Sequence, residues 1–328
     1  MSSNIKYHIA TVINYCTNEY RFIQKCIDNV SIFSSQVMVV VCSSFFNGEP
    51  ENRYLLNKTY AENPGASFIE FQYDKDLFER NGTHFPHNLA RWFGYKYLKN
   101  DIEYVLFLDA DEIVVGDLFK RWLDQYIYKN LEAMTFRSYW YFRMPFYRAR
   151  QTETLGVLIR RNSITKTKMF HRSERNAMLQ APSGSLIFPC EGEPFLHHFS
   201  WVRTKKEMLK KVLSWGHRHD KNWTALVEEE FASPFSGKDF VHGYDYDIGT
   251  PYLDVEMYDF PFDKCAQVED FVNRTYISRR DVRTLLPISI LYGFLPGVST
   301  LLAIKAAIRR IPILGDYLKI FKTKFFGK

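Results

Sequence analysis

The chain has 328 residues, of which 46% are hydrophobic, 24% charged and 17% aromatic. That bounds it to one large domain, or one domain with a smaller appendage, and excludes a disordered chain. The net charge of +6 lies entirely after residue 280, where eight basic side chains oppose two acidic ones, so the body is balanced and no nucleic-acid partner is expected. Five cysteines without C-x-x-C spacing argue against a disulfide framework and a zinc site, and fit reduced, mostly buried thiols. With no signal peptide visible, a cytoplasmic protein is expected.

In chain order, His8 to Ile13 reads as a buried strand and Asn14 to Asn18 as a polar turn. Glu19 to Phe33 places Phe22, Ile23, Cys26, Ile27 and Val30 at helical spacing. Val37 to Val41 is an unbroken apolar run, typical of a parallel strand covered on both faces. Phe68 to Phe71 is a third strand, His84 to Leu98 a helix, and Tyr104 to Leu108 a fourth strand. This alternation predicts an α/β fold with a doubly wound, mainly parallel sheet and helices on both faces. Further strands are expected at Ala133 to Phe142, Thr154 to Arg160 and Phe195 to Trp201. Thr204-x-x-Glu207 predicts a capping box at the start of a helix running to about Trp215, and residues 231–262 read as a long ordered loop. Leu285 to Ile304 carries no charge, a length that permits a membrane span, but Pro287, Gly293, Pro296 and Gly297 argue against one straight helix. The basic, apolar stretch after it suits either a helix pair lying on an anionic membrane surface, through residues 285–328, or a helical cap on the body.

Asp109 and Asp111 follow the fourth strand directly. Ligands of open parallel sheets bind at the carboxyl ends of strands, and two carboxylates one residue apart can reach one hard cation, such as Mg²⁺ or Mn²⁺, that keeps positions open for phosphate oxygens. Such an ion offsets charge on a departing diphosphate. A Walker B strand looks alike but requires a G-x-x-x-x-G-K-[ST] loop, which the chain lacks. A haloacid-dehalogenase-type phosphatase would place its D-x-D on the first strand, with the first Asp as nucleophile. A solvated acidic strand end is the bland alternative.

The residues Thr11-Val-Ile-Asn14, Asn18-Glu19, the Val37–Val41 run, Asn88-x-x-Arg91 and Leu108-Asp-Ala-Asp-Glu112 resemble the glycosyltransferase family 2-like group with the GT-A fold. The likeness is to the branch with an Asn-Glu pair after strand one and an Asp-Ala-Asp-Glu signature, and it spans roughly residues 7–115. The resemblance implies a nucleotide-sugar-binding half over 1–115 and an acceptor-side half of the same catalytic domain over 116–280, while the basic, apolar composition of 281–328 reads as a helical tail. It implies that Asp111 ligates the metal and that Asp109 contacts the ribose, or the metal through water. Asn14 and the residues after strand two (Cys42, Ser43, Ser44) would form the base and ribose pocket. The family often carries Asp at the end of strand two, where this chain has Cys42-Ser-Ser, and Asp74 is a substitute. Arg91 would lie under the diphosphate or brace the D-x-D loop, against the alternative of a helix-surface charge.

The resemblance also implies a histidine as a third metal ligand. On a strand, His197 and His198 face opposite sides, so one of them can serve, with His198 preferred. An inverting transferase needs a base for the acceptor hydroxyl. Glu193 and Glu191, in a Gly-Pro turn, are the first candidates, with Glu174 and Asp220 as rivals. The basic run Arg160, Arg161, Lys166, Lys168, His171, Arg172 and Arg175 fits a phosphate contact or a solvated loop. Trp201 and the Tyr139–Phe142 aromatics fit an acceptor groove or core packing.

The expected activity is metal-dependent transfer from a nucleoside diphosphate sugar, UDP-sugar first, to a hydroxyl of a glycan or lipid-linked acceptor. The alternatives are a non-catalytic sugar or nucleotide binder of the same fold and the phosphatase.

Overall fold

A computed structural model describes residues 7–286, apart from 83, 126, 181–184, 254, 256, 258, 260 and 262. The uncharged segment and basic tail expected after Leu285 therefore fall almost wholly outside the described residues. Among the described residues, no helix is long and apolar enough to cross a membrane.

The first elements are β1 (Ile9–Tyr15), α1 (Tyr20–Ser31), β2 (Gln36–Cys42), α2 (Arg53–Glu62) and β3 (Ser67–Phe71). Next come α3 (Lys75–Asn81), α4 (Phe85–Lys96), β4 (Tyr104–Asp109), β5 (Glu112–Val114) and α5 (Gly116–Asp124). Then follow β6 (Ala133–Phe142), β7 (Met144–Arg160), the short α6 (Lys166–Met169), β8 (Ser185–Phe188) and β9 (Leu196–Trp201). The last are α7 (Lys205–Ser214), α8 (Trp223–Glu230), β10 (Tyr246–Ile248), β11 (Arg274–Ile277) and α9 (Arg279–Leu285).

The chain divides into two compact units. Residues 74–82 and 278–286, which carry α3 and α9, fall in one, and the other described residues to Ile277 form the other. In the smaller unit Asp74 caps α3 by accepting the Leu77 N–H at 3.2 Å, and it takes a two-point contact from Arg283 at 2.5 and 2.9 Å.

In the larger unit the strands run in the order β11-β3-β2-β1-β4-β7-β6-β9-β5, with β10 on β7 and β8 on β6. From β11 to β4 every pairing is parallel. Beyond β4 the sheet is mixed, which the sequence did not predict: β4–β7, β7–β6 and β5–β9 are antiparallel. The expected Thr154–Arg160 strand is the end of a 17-residue β7 that returns from β6 through a tight turn at Arg143, a residue in the left-handed region with φ 57°. The Thr204–Glu207 capping box is present. The expected loop over 231–262 contains β10. The five cysteines are free, as expected, but Cys190 and Cys265 are exposed rather than buried.

Strand residues alternate between the two faces. Ile9, Ile13, Val39 and Val41 pack in one cluster with Phe22, Cys26 and Val30 of α1. Val12 and Val40 face the opposite side, where α4 crosses so closely that only a glycine fits at position 94. A Cβ there would stand 2.3 Å from Val12 Cγ1 and 3.1 Å from Val40 Cγ2. Gly94→Ala is expected to destabilise the chain by about 1–3 kcal/mol through overpacking, with part of the loss recovered in a Val12→Ala background. Denaturant unfolding of the three variants checks this, and additive losses would show that the clash is relieved elsewhere.

Candidate active site

β2 and β3 lie on one side of β1 and β4 on the other. Connections leaving β1 and β4 at their carboxyl ends therefore diverge, and a crevice opens between them. The register sets Asn14 beside Asp109 at that point. A cavity of about 570 Å³ occupies the crevice, within the ~300–1,000 Å³ typical of small-molecule sites. Its walls come from the ends of β1, β2 and β4, the start of α4, β9, the end of α7, and residues 241–242.

Beneath the crevice, carboxylates and guanidinium groups interlock. Arg91 is fully buried, with 0% exposure, which excludes a helix-surface charge. It donates to Asp109 at 3.2 Å and to Glu174 at 2.9 Å. Arg175 grips both oxygens of Glu112 and lies 3.5 Å from Asp109. Glu112 in turn accepts the Asp109 backbone N–H at 3.1 Å, so the loop after β4 is held from below. Burial pushes the Asp109 carboxyl up, but the charges of Arg175 and Arg91 outweigh it and hold its pKa below the usual range. Glu174 is likewise held far below its usual range: burial opposes ionisation, and His87 and Arg91 override it.

Asp111 has a different environment. Its Oδ1 is 3.6 Å from His198 Nε2, and its Oδ2 is 3.5 Å from Lys211 Nζ and 3.8 Å from Arg203. Burial opposes its ionisation, yet Lys211, His198 and Arg203 hold it ionised well below the ordinary carboxylate range. Glu19, after β1, pairs with both Arg203 and Lys211, and Lys211 also donates to Ser200 at 2.8 Å. His197 points the other way. It stacks on Tyr252 with centroids 3.9 Å apart and bonds Tyr141 at 2.7 Å, and burial lowers its pKa to about 3.

Among the described residues, no three His, Cys, Asp or Glu side chains form a group able to hold an ion by themselves. Two donors do converge. The 3.6 Å between Asp111 and His198 exceeds a hydrogen bond and suits two ligands of one ion at roughly 2.0–2.2 Å each. The His198 Nδ1 is buried without a partner, and its Nε2 faces the Asp111 carboxylate. A Mg²⁺ or Mn²⁺ that takes one or two protein ligands and completes its shell with phosphate and water fits this pair.

The remaining sequence candidates separate. Asn14 lines the cavity, and its Oδ1 is buried without a partner. Cys42 and Ser44 line it, whereas Ser43 does not and instead accepts the Tyr73 N–H at 2.9 Å. Asp74 spends both oxygens on the α3 cap and Arg283. Glu191 and Glu193 are exposed and are not among the lining residues, and Glu193 is bonded to Tyr139. Of the expected basic run, Arg175 lines the cavity, as a buried partner of Glu112 rather than a free phosphate contact.

Sequence reasoning passed over Lys211, Arg203, His242 and Glu51. For Lys211 a signal existed, since it shares the buried face of α7 with Glu207, Met208 and Val212, and a lysine on an apolar stripe needs a partner. For His242 and Glu51, which stand in loops, no periodicity could single them out.

No protein-family model matches the chain, and no curated protein matches it. Among solved structures it is similar to 4-diphosphocytidyl-2C-methyl-D-erythritol synthase from Anaerococcus prevotii (8% identity, 59% of this chain and 87% of that one, TM-score 0.37). It is also similar to a putative nucleotide-diphospho-sugar transferase from Desulfovibrio desulfuricans (11% identity, 69% and 96%, TM-score 0.35). A third is glucosyl-3-phosphoglycerate synthase from Mycobacterium tuberculosis in complex with Mn²⁺, uridine diphosphate and phosphoglyceric acid (13% identity, 76% and 89%, TM-score 0.33). At such scores, function has to be argued from the residues themselves.

Glu51 lines the cavity floor and accepts the Thr17 N–H at 2.8 Å as well as the Thr17 hydroxyl. Burial raises its pKa from 4.5 to about 7, against the pull of both Thr17 bonds. The folded chain thus holds this proton more tightly than the unfolded chain. The resulting stabilisation is complete below pH 4.5 and is lost as pH rises through about 7. The full excursion is about 3 kcal/mol at ~1.4 kcal/mol per pKa unit. Glu51→Gln is expected to be more stable than the parent at pH 8 and to lose that advantage at pH 5. Urea unfolding at both pH values measures this, and parallel pH dependences would refute it.

Proposed function

We propose that this chain is a GT-A-type glycosyltransferase. It takes a nucleoside diphosphate sugar, UDP-sugar first, and passes the sugar with inversion to a hydroxyl of a glycan or lipid-linked acceptor. The observation that carries the reading is the convergence of Asp111 and His198, 3.6 Å apart, in a cavity at the carboxyl end of β4 where the strand order reverses.

Asp111 and His198 would hold Mn²⁺ or Mg²⁺, whose chemistry is to neutralise the diphosphate as it leaves. The chain's own residues do the rest. Arg91 and Arg175 lock Asp109 and the loop after β4, which keeps Asp111 at a set position. Asn14 offers an unpaired Oδ1 to the donor's polar groups, and Lys211 keeps a second positive charge beside Asp111. The phosphatase reading needs Asp109 as a free nucleophile, and the two guanidinium groups on Asp109 oppose it. The basic, apolar residues after 286 belong to the proposal as a membrane-surface anchor, which would bring the enzyme to a lipid-linked acceptor.

Asp111→Ala and His198→Ala are each expected to abolish the Mn²⁺-dependent part of UDP binding in calorimetry and to cut UDP release from a sugar-nucleotide panel at least ~100-fold. Unchanged Mn²⁺ dependence in Asp111→Ala would sink the metal assignment. For the anchor, the full chain is expected to sediment with vesicles containing phosphatidylserine and to stay in the supernatant with neutral ones. Equal partitioning would rule it out.

A further inference from the structure

The proposed transfer requires a base, and the carboxylates around Asp109 are all committed. Glu174 is fixed by Arg91 and His84, Glu112 by Arg175, and Glu19 by Arg203 and Lys211. Across the cavity stands a group that the transferase reading has not used. We propose that His242, oriented by Glu153, is the general base that takes the acceptor's proton. This rests on the transferase reading.

His242 lines the same cavity as Asp111 and His198. Its ring meets one side of Trp140 at a centroid distance of 4.8 Å and 76°, and His198 meets Trp140 at 4.7 Å and 82°. Both imidazoles thus pack edge-on against the same indole. An acceptor hydroxyl must lie between the base and the donor's anomeric carbon, and a base in van der Waals contact with the metal ligands would leave no room for it.

The imidazole is held as a base requires. Glu153, on β7, places Oε1 3.7 Å from His242 Nε2 and accepts the Tyr244 hydroxyl at 3.1 Å. Tyr244 also stacks on the His242 ring, with centroids 5.0 Å apart. At 3.7 Å the carboxylate acts by charge rather than by a hydrogen bond. With the ring proton on Nε2, toward Glu153, Nδ1 is the nitrogen that would take the acceptor's proton. The backbone beneath is rigid, because the buried Asp239 carboxylate accepts four successive N–H groups, those of Val241, His242, Gly243 and Tyr244, at 2.6–3.2 Å. It also takes the Tyr246 hydroxyl at 2.9 Å, and β10 ties that turn to β7, the strand that carries Glu153. A pre-set nucleophile activator oriented by a third group is the arrangement that acid–base catalysis uses.

The step balances. The acceptor O–H bond breaks and its proton passes to Nδ1. The oxygen forms the new bond to the anomeric carbon, and the bond from that carbon to the diphosphate oxygen breaks, its electron pair leaving with the diphosphate.

Besides His242 and His198, two further imidazoles line the cavity, His87 and His217, and His87 packs edge-on against Phe46 in the loop after β2, with centroids 4.8 Å apart. His217 pairs with Asp220 at 2.8 Å, but its ring neighbours are His84 at 5.5 Å and Trp215 at 5.2 Å. The adjoining Ser214 carbonyl accepts from Phe46 N, in the loop after β2. His217 therefore belongs to the wall that closes over the ends of β1 and β2.

The test uses the full chain with Mn²⁺ and a UDP-sugar panel. It compares His242→Ala, Glu153→Gln and His217→Ala with the parent for UDP affinity by calorimetry, for melting temperature, and for UDP release with and without added imidazole. The expected result is that His242→Ala binds UDP within about twofold of the parent, melts normally, releases UDP ~10²–10⁴-fold more slowly and regains at least tenfold with imidazole. Glu153→Gln is expected to fall by a smaller factor with the same UDP affinity. Parental turnover in His242→Ala overturns the proposal. So does a joint loss of UDP affinity and melting temperature, which would mark a structural role, and so does imidazole rescue confined to His217→Ala. A parent chain that neither binds UDP nor releases it from any sugar nucleotide overturns the transferase reading, and the base falls with it.

Discussion

Five carboxylates, from Glu19, Asp109, Asp111, Glu112 and Glu174, meet at one end of β4, three of them from the end of β4 and its link to β5, one from the turn after β1 and one from the segment after α6. Each would repel the others, and each pays a desolvation penalty of several kcal/mol away from water. The chain answers with Arg91, Arg175, Arg203 and Lys211, placed 2.5–3.8 Å from these oxygens. These cations come from α4, from the segment after α6, from the β9–α7 corner and from α7 itself, so charge neutralisation joins distant stretches of chain. Breaking one such buried pair typically costs about 3–5 kcal/mol, because it strands the opposite charge.

The same network separates two aspartates that look equivalent on paper. Asp109 is pinned by two guanidinium groups, whereas Asp111 faces His198 with one oxygen and Lys211 and Arg203 with the other. The mixed half of the sheet completes the proposed site, since β9 carries His198 and β7 carries Glu153.

Much of the scaffold was legible in the residues. The unbroken apolar run Val37–Val41 announced a parallel strand covered on both faces, β1 and β4 were legible as strands, and the Thr204–Glu207 capping box announced α7. The β6–β7 hairpin was not legible as one unit, because the outer part of β7 is exposed and polar, over Arg150 to Thr152, and lacks the apolar run of a core strand. The pairing of His197 and His198 to opposite faces follows from strand geometry alone. Which face holds the metal side follows only from where β9 sits beside β5 and β6.

What the sequence by itself determined is local: strand and helix periods, one helix cap, and two aspartates at a strand end. These follow from the repeat of the backbone and from which side chains stand a few residues apart. The tertiary structure decided which charges meet. Arg175 reaches Glu112 over 63 residues, Arg203 reaches Glu19 over 184, and His242 faces Glu153 from another loop. Such pairs leave no trace in local spacing, because Coulomb attraction and desolvation act on distance in space, and only the closed fold sets that distance.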